Sequence, residues 1–484
     1  MMDMAQRKVS PVEANLRAIL DAQRAAYLTG GVVTAEIRID RINRAIKLLV
    51  DNADGLCAAM NQDFGNRPLL MSKMTDIAHS IMGLKHARRN VRKWMKPEKR
   101  SLDFPLGLLG ARAEIVYQPL GVVGLVSPWN FPVSLIFGPL AGILAAGNRC
   151  MIKPSEYTPA TSELTARLVA EYFEPNEITL ATGDAEMGAA FCALPFDHLL
   201  FTGATNVARH VMRAAADNLV PVTLELGGKS PVVIGRSADL ALAARRIMAG
   251  KMMNAGQVCL APDYVFVPHD LIDDFVEACK SAVTGMYPAL KDNDDYTSII
   301  SDRHVDRMTN FLSDAASRSK DVIEINPVQE DFSDHAARKM PLSLVIDPDE
   351  DALVMKQEIF GPILPIKPYN DMTEVVDYVN RQPRALALYY FGRDKAEERY
   401  VLGQTTSGGV TVNDVIAHIT AENLPFGGIG PSGMGAYHGV DGFRNFSHAK
   451  SVFRQTRFNI AKMVGQVPPY GARTAKLIAQ LIKH

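Results

Sequence analysis

Cysteine is scarce in this chain of 484 residues: Cys57, Cys150, Cys192, Cys259 and Cys279 lie far apart, odd in number and in no CxxC or metal-ligand spacing. That excludes a disulfide framework, gives no metal site, and fits a reducing, cytoplasmic setting. An excess of charge of one sign is also missing. Lys and Arg number 52 against 53 Asp and Glu, for a net charge of -1, so there is no electrostatic case for a nucleic-acid partner, which needs clustered and uncompensated cations. The run Lys85–Lys93 is locally basic, and a solvated helix face accounts for it. Long apolar runs are absent too, since no stretch reaches the roughly 18 uninterrupted apolar residues of a membrane span. Met1-Met2-Asp3-Met4-Ala5-Gln6-Arg7 lacks a signal-peptide core, and Leu135–Ala146 is short enough to be a buried helix, so no membrane partner is expected. No internal repeat or low-complexity tract interrupts the chain. With 47% hydrophobic and 22% charged residues, it has the make-up of a soluble globular protein large enough for two or three domains.

The apolar periodicity gives the organisation. Residues 11–62 carry apolar side chains at three- and four-residue spacing (Leu16, Ile19, Leu20; Ile42, Ile46, Leu49), which predicts two helices broken at Gly30-Gly31. From Gly121 short apolar runs alternate with helical windows: 121–126 then 133–146, 150–152 then 158–173, 178–181 then 185–193, 198–201 then 205–217, and 222–226. Alternation of this kind predicts a parallel sheet with helices on both faces. A second set of windows, from 238–254 to 410–413, predicts a second α/β domain beginning just after Gly227-Gly228. Residues 102–120, with Pro105 and the alternation Ala113-Glu114-Ile115-Val116-Tyr117, read as a protruding hairpin. The basic, amphipathic stretch Ala472–Ile482 reads as a docking helix.

Two segments carry candidate chemistry: Leu224-Glu225-Leu226-Gly227-Gly228-Lys229-Ser230-Pro231, and Met252-Met253-Asn254-Ala255-Gly256-Gln257-Val258-Cys259. A lone cysteine is most often a buried structural residue, and that is the reading for Cys57, Cys150, Cys192 and Cys279. Cys259 differs because small and polar residues precede it, as a loop feeding a cleft needs; to act as a nucleophile it must be available as thiolate. Glu225 sits between two leucines, in company that holds a carboxyl near working pH, with Gly227-Gly228 allowing close backbone approach. The only literal G-x-G-x-x-G, Gly428–Gly433, follows no predicted strand and opens no helix, so it fails as a dinucleotide fingerprint. Met151-Ile152-Lys153-Pro154-Ser155-Glu156 instead follows the second strand of the sheet, where a Rossmann-type site places its ribose ligand. Phe201-Thr202-Gly203-Ala204-Thr205-Asn206-Val207-Ala208 lies between a strand and a helix.

These segments, with Ser127-Pro128-Trp129-Asn130-Phe131-Pro132 and Gln357-Glu358-Ile359-Phe360-Gly361-Pro362, resemble the aldehyde dehydrogenase superfamily over about residues 11–460. The resemblance implies Cys259 as nucleophile, Glu225 as base for thioester hydrolysis, and Asn130 as oxyanion donor beside the Cys259 backbone N–H. It implies an NAD site, with NADP possible, built from Trp129, Lys153, Glu156, Gly203, Ala204, Thr205, Glu358 and Phe360. Ala208 departs from the glycine that ends the family's phosphate turn. Phe426 and Tyr264, with Trp129, are the candidates for an aromatic-lined substrate tunnel. The implied fold is α/β: a Rossmann-type cofactor domain (1–101 and 121–226), a second α/β catalytic domain (227–426), and an oligomerisation arm with a C-terminal tail (102–120 and 440–484). The strings Cys259–Tyr264 and Pro431–Gly439 look like the class 3 branch, whose members are dimers. Within it the chain resembles bacterial enzymes that oxidise phenylpropenal aldehydes such as coniferyl aldehyde; medium-chain aliphatic and benzylic aldehydes are the alternatives. A cofactor-independent thiol esterase is the rival of another class, and Lys153, Glu156 and Glu358 argue against it.

Overall fold

The computed structural model describes residues 10–104, 106–335, 337–463 and 465–483. The reading of Met1–Arg7 and the placing of Pro105 therefore lie outside the described residues. A short strand β1 (Glu98–Arg100) pairs antiparallel with β2 (Arg112–Pro119). Then β3 (Val122–Val126), β4 (Arg149–Lys153), β5 (Ile178–Leu180), β6 (His198–Gly203) and β7 (Val222–Leu226) form a parallel sheet in the order β5-β4-β3-β6-β7. Next, β8 (Pro231–Ile234), β9 (Tyr264–Pro268), β10 (Asp321–Ile325), β11 (Leu342–Ile346), β12 (Ile363–Tyr369), β13 (Ala387–Phe391) and β14 (Gly409–Val412) make a second sheet ordered β10-β11-β12-β9-β8-β13-β14. Only the β10–β11 pair in it is antiparallel. The chain then returns: β15 (Gly433–Met434) pairs with β7, and β16 (Ser447–Arg454) pairs along the full length of β2.

The strands of the first sheet form because their residues are apolar without alternation. Val122, Val123, Leu125, Cys150, Met151 and Ile152 are all fully buried, as strands covered on both faces must be. The sheet is entered at its centre, grows outward through β4 and β5, and then crosses back to β6. Strand order reverses between β3 and β6, and ligands of such sheets bind at the carboxyl ends beside that switch point. Trp129 and Asn130 follow β3, Lys153 and Glu156 end β4, Gly203–Thr205 end β6, and Glu225 lies in β7.

Most predicted windows agree with the observed elements to within two residues. The second N-terminal window splits at Asn52, which ends Ala35–Asp51 and starts Ala53–Phe64. The predicted hairpin begins earlier than expected, at Glu98, and becomes three-stranded through β16. The basic run lies on the helix His79–Trp94, where Leu84, Ala87 and Val91 face the core while Lys85, Arg89, Arg92 and Lys93 are exposed. The tail helix Ala472–Leu481 forms, but none of its residues is buried among the described residues, and Ile478 and Leu481 are exposed. No described helix is long and apolar enough to cross a membrane.

The glycines of 428–433 have a different use from phosphate binding. Gly433 has φ 142°, and a Cβ there would stand 2.2 Å from the Leu224 carbonyl oxygen, so only glycine lets β15 pair against Glu225. Gly433→Ala is expected to cost about 1–3 kcal/mol, seen as a lower urea midpoint. An unchanged midpoint would show that β15 is dispensable to β7.

Candidate active site

The chain leaves the first sheet at Leu226 and enters the second at Pro231, so Glu225 stands where the two sheets meet. Cys259 follows a 3-10 turn, Met253–Gly256, after the helix Leu240–Met252. Both side chains line one cavity of ≈ 290 Å³, walled mainly by apolar groups including Phe131, Leu135, Met253 and Phe426. Tyr264, expected in the tunnel, is not on it. Its ring is buried in the second core against Phe266 and Tyr378, because an inward position on β9 points into the helix layer rather than into the cleft.

The loop before Cys259 is strained and clamped. Asn254, Ala255 and Gly256 are all left-handed, with φ of 51°, 53° and 76°, a conformation that costs energy in non-glycine residues and persists only when surrounding contacts enforce it. Gln257 is the clamp: its amide donates to Asn254 O (2.9 Å) and Ser298 O (3.1 Å), and its oxygen accepts from Ile300 N–H (2.9 Å). Asn130 Nδ2 donates to the Gln257 carbonyl at 3.1 Å, and Asn254 Nδ2 donates to the Asn130 carbonyl at 3.2 Å. The two predicted segments are therefore bonded to each other.

Behind Asn130 lies an ion pair that the sequence did not suggest. Arg67 and Asp76 are both fully buried and 2.7 Å apart. Arg67 also donates to the Asn130 carbonyl (2.8 Å), while the other Asp76 oxygen accepts from Val133 N–H (3.2 Å) and Ser134 N–H (3.1 Å). Asp76 thus caps, from a distant segment, the helix Ser134–Ala146, whose own N-cap Val133 has no polar side chain.

Burial dominates the electrostatics. Glu225 is 3% exposed, neither carboxyl oxygen has a partner among the described residues, and desolvation raises it well above the usual carboxylate range. Burial also pushes Glu358 up to about 7, Asp263 adding to the rise. The Cys259 thiol goes up to about 12, from burial first and then from the charges of Glu358 and Glu225. Burial therefore favours the protonated Cys259 thiol, whereas a nucleophile would need the thiolate. What sets Cys259 apart from the other four cysteines is access, since they are buried and it is partly exposed.

The remaining candidates line the other side of the cleft. Lys153 is buried, donating to Pro154 O (2.7 Å) with Glu156 at 3.5 Å, and the Glu156 side chain opens to solvent. Gly203-Ala204-Thr205 leads into the helix Thr205–Ala216, whose N-cap Ala204 supplies no side-chain acceptor, leaving its first N–H groups available to an anion. Ala208 is buried in the core on the first turn of that helix. Glu358 lies against Gly227, where a Cβ would come within 2.0 Å of its carboxyl oxygen. Its loop is held by Arg307, donating to Ile359 O (2.7 Å) and to Glu358 O, and by Asp263, accepting from Ile359 N–H (2.9 Å). Phe360 and His304 pack edge-on to Trp129 at 5.4 and 5.2 Å. A buried amine, an open carboxylate and uncapped N–H groups at the switch point fit a dinucleotide. Arg67, Asp76, Gln257, Arg307 and His304 escaped the sequence reading; only Gln257, beside Cys259, carried a local signal.

The chain matches the aldehyde dehydrogenase family over residues 5–452. A probable coniferyl aldehyde dehydrogenase of Caulobacter vibrioides is 56% identical over 472 residues, 97% of each chain. The coniferyl aldehyde dehydrogenase of a Pseudomonas strain is 51% identical over 474 residues, 98% of each. The substrate-bound state of Staphylococcus aureus AldH superposes with a TM-score of 0.89 at 33% identity, covering 96% of this chain and 99% of that one.

Asp76→Ala leaves the Arg67 guanidinium buried without its counter-charge, and a loss of roughly 3–5 kcal/mol is expected in urea denaturation. A loss below about 1 kcal/mol would remove the pair from its supporting role.

Proposed function

We infer the substrate and the residue roles from one premise: this chain belongs to the aldehyde dehydrogenase family. It is an NAD(P)-dependent enzyme that oxidises an aldehyde. We propose that its substrate is a phenylpropenal, coniferyl aldehyde being the model, and that the product is the free acid. The observation that carries this reading is the apolar cavity of ≈ 290 Å³ holding both Cys259 and Glu225, which suits an aromatic aldehyde; the coniferyl aldehyde dehydrogenases among the relatives support it.

In this reading the Cys259 thiol first loses its proton to water, the thiolate sulfur attacks the aldehyde carbon, the C–S bond forms, and the carbonyl pair moves to oxygen. Asn130 Nδ2 has one N–H committed to Gln257 O and a second for that oxyanion, beside the Cys259 backbone N–H. The dinucleotide, when bound, supplies the hydride acceptor and a positive ring charge that favours the sulfur anion. Glu225, desolvated and with neither oxygen partnered among the described residues, takes a proton from water, which attacks the resulting thioester and expels the Cys259 thiolate. Glu358 would accept from one ribose of a bound dinucleotide, Lys153 and Glu156 would engage the other, and Gly203–Thr205 would receive the pyrophosphate. Glu156 favours NAD, because a carboxylate accepts from a free 2′-hydroxyl; Lys153 leaves NADP usable. A homodimer built through β1, β2 and β16, and a cytoplasmic location consistent with five free cysteines, complete the proposal.

Cys259→Ala is expected to abolish oxidation while keeping dinucleotide binding, read by turnover and by fluorescence titration; retained turnover would sink the nucleophile assignment. Because burial raises Glu225 and a base must be deprotonated, deacylation is expected to quicken as pH rises above the usual carboxylate range. Glu225→Gln should keep a stoichiometric NADH burst, slow the steady state, and flatten that rise. An unaltered profile would take the base role from Glu225. A panel of cinnamyl, benzyl and alkyl aldehydes with NAD and NADP, followed by absorbance, tests the substrate. Higher kcat/KM on alkyl than on cinnamyl aldehydes would overturn the phenylpropenal reading.

A further inference from the structure

In the parallel pair of β6 and β7, Thr202 stands opposite Glu225. Residues in register on neighbouring strands point to the same face of a sheet, on backbones about 5 Å apart. Both side chains line the cavity that holds Cys259. On the other side of β7 the register partner of Glu225 is Gly433, which has no side chain to offer. Gly427 flanks the carboxyl as well, since a Cβ there would lie 3.1 Å from Glu225 Oε1 and 2.0 Å from the Gly435 carbonyl oxygen. Thr202 is therefore the polar side chain that the sheet sets beside Glu225.

The hydroxyls on the cavity wall belong to Thr75, Ser134, Thr202, Thr420 and Tyr437. Thr75, on the π-helical turn Lys73–Ala78 that leads into His79, donates to Met71 O (2.9 Å), and Thr420 donates to Ala417 O (2.8 Å). Of the five, Thr202 Oγ1 alone is both shut off from solvent and without a partner among the described residues, and the same is true of both Glu225 oxygens. Thr202 is 8% exposed and Glu225 3%. Three buried, unpartnered polar atoms thus meet on one face of the sheet. Each is unfavourable until something bonds to it. The two side chains do not bond to each other, so a single group satisfies both only if it donates to the carboxylate and also bonds a hydroxyl. A water molecule does this, and an enclosed water needs two or more such partners.

We propose that Thr202 is a positioning residue that holds, together with Glu225, the water that hydrolyses the Cys259 thioester. This rests on the reading of Glu225 as base and deepens it: a carboxylate alone fixes one O–H of a water and leaves the molecule free to turn, whereas a second bond from Thr202 Oγ1, one strand away, fixes its orientation. In the step, the water oxygen bonds to the thioester carbon, one water proton passes to Glu225, and the carbonyl pair moves to oxygen. That pair returns as the C–S bond breaks, and the C–S pair goes to sulfur. The Thr202 hydroxyl keeps its own proton throughout. Hydride transfer precedes this step and needs no water, so the hydroxyl bears on release of the acid and not on formation of the thioester.

The test follows a single turnover of the full-length enzyme with NAD, in excess over whichever cinnamyl, benzyl or alkyl aldehyde the wild type turns over best. NADH absorbance reports thioester formation, and acid quenching followed by chromatography reports free carboxylic acid. The wild type is compared with Thr202→Val, Thr202→Ser and Glu225→Gln; valine keeps the branched shape and suits a strand. Loss of one hydrogen bond corresponds to about ten-fold in rate, so acid release is expected to slow by about that factor in Thr202→Val while NADH formation changes by less than about two-fold. Thr202→Ser, which keeps the hydroxyl, is expected to restore acid release. Wild-type acid release in Thr202→Val, a slowing that serine does not repair, or an equal slowing of NADH formation, which assigns the hydroxyl to dinucleotide or aldehyde, overturns the proposal. Should Thr202→Val not fold, a crystal structure of the wild type decides: a water is expected within hydrogen-bond distance of Thr202 Oγ1 and a Glu225 oxygen, and a Thr202 hydroxyl without it overturns the assignment. Glu225→Gln that releases acid at the wild-type rate shows instead that the base reading has failed, and the proposal with it.

Discussion

The pair formed by Arg67 and Asp76 ties together segments that are otherwise separate. One carboxyl oxygen of Asp76 takes the guanidinium, and the other caps the helix Ser134–Ala146. Arg67 reaches the Asn130 carbonyl, to which Asn254 also donates, and Asn130 and Asn254 both donate to the Gln257 carbonyl. Asp76 belongs, besides, to the π turn that carries Thr75 and His79 to the cavity. An ion pair fully withdrawn from water adds little to stability by comparison with apolar packing, but removing one member leaves a stranded charge. What it contributes is position. The backbone around Asn130 and the strained turn before Cys259 are fixed relative to each other to within hydrogen-bond tolerance.

With geometry held in this way, burial sets the chemistry. The apolar cavity walls desolvate Glu225 and Cys259, burial acts likewise on Glu358 nearby, and all three shift toward their neutral forms. A raised carboxyl is a better proton acceptor once ionised, while a raised thiol is a guarded nucleophile. Burial thus favours the protonated thiol, and the positive ring of a bound dinucleotide would favour the thiolate.

The sequence was informative where one residue type can serve only one physical purpose. Unbroken apolar runs such as Val122–Val126 and Arg149–Lys153 carry a parallel sheet because both of its faces are covered. Gly227-Gly228 could be read as close approach, and the structure gives the neighbour as the Glu358 carboxyl. Tyr264 was misread because aromatic residues serve cores and tunnels alike, and only the inward direction of a β9 position decides between them. Gly428–Gly433 matched a phosphate motif in letters, yet its last glycine lets β15 pass the Leu224 carbonyl. Arg67, Asp76 and Arg307 left no local trace, since their partners are brought near only by the fold.

By itself the sequence determined the α/β class, the two sheets, and the segments holding Cys259, Glu225, Asn130, Lys153, Glu156 and Glu358, because these follow from local periodicity and from short strings whose residues act close together. Tertiary structure alone decided that Glu225 is buried with no partner among the described residues, that burial raises the Cys259 thiol, and that Tyr264 belongs to a core. The physical reason is the same in each case. Desolvation and hydrogen-bond satisfaction depend on what lies across space from a side chain, and a linear string records only what lies beside it.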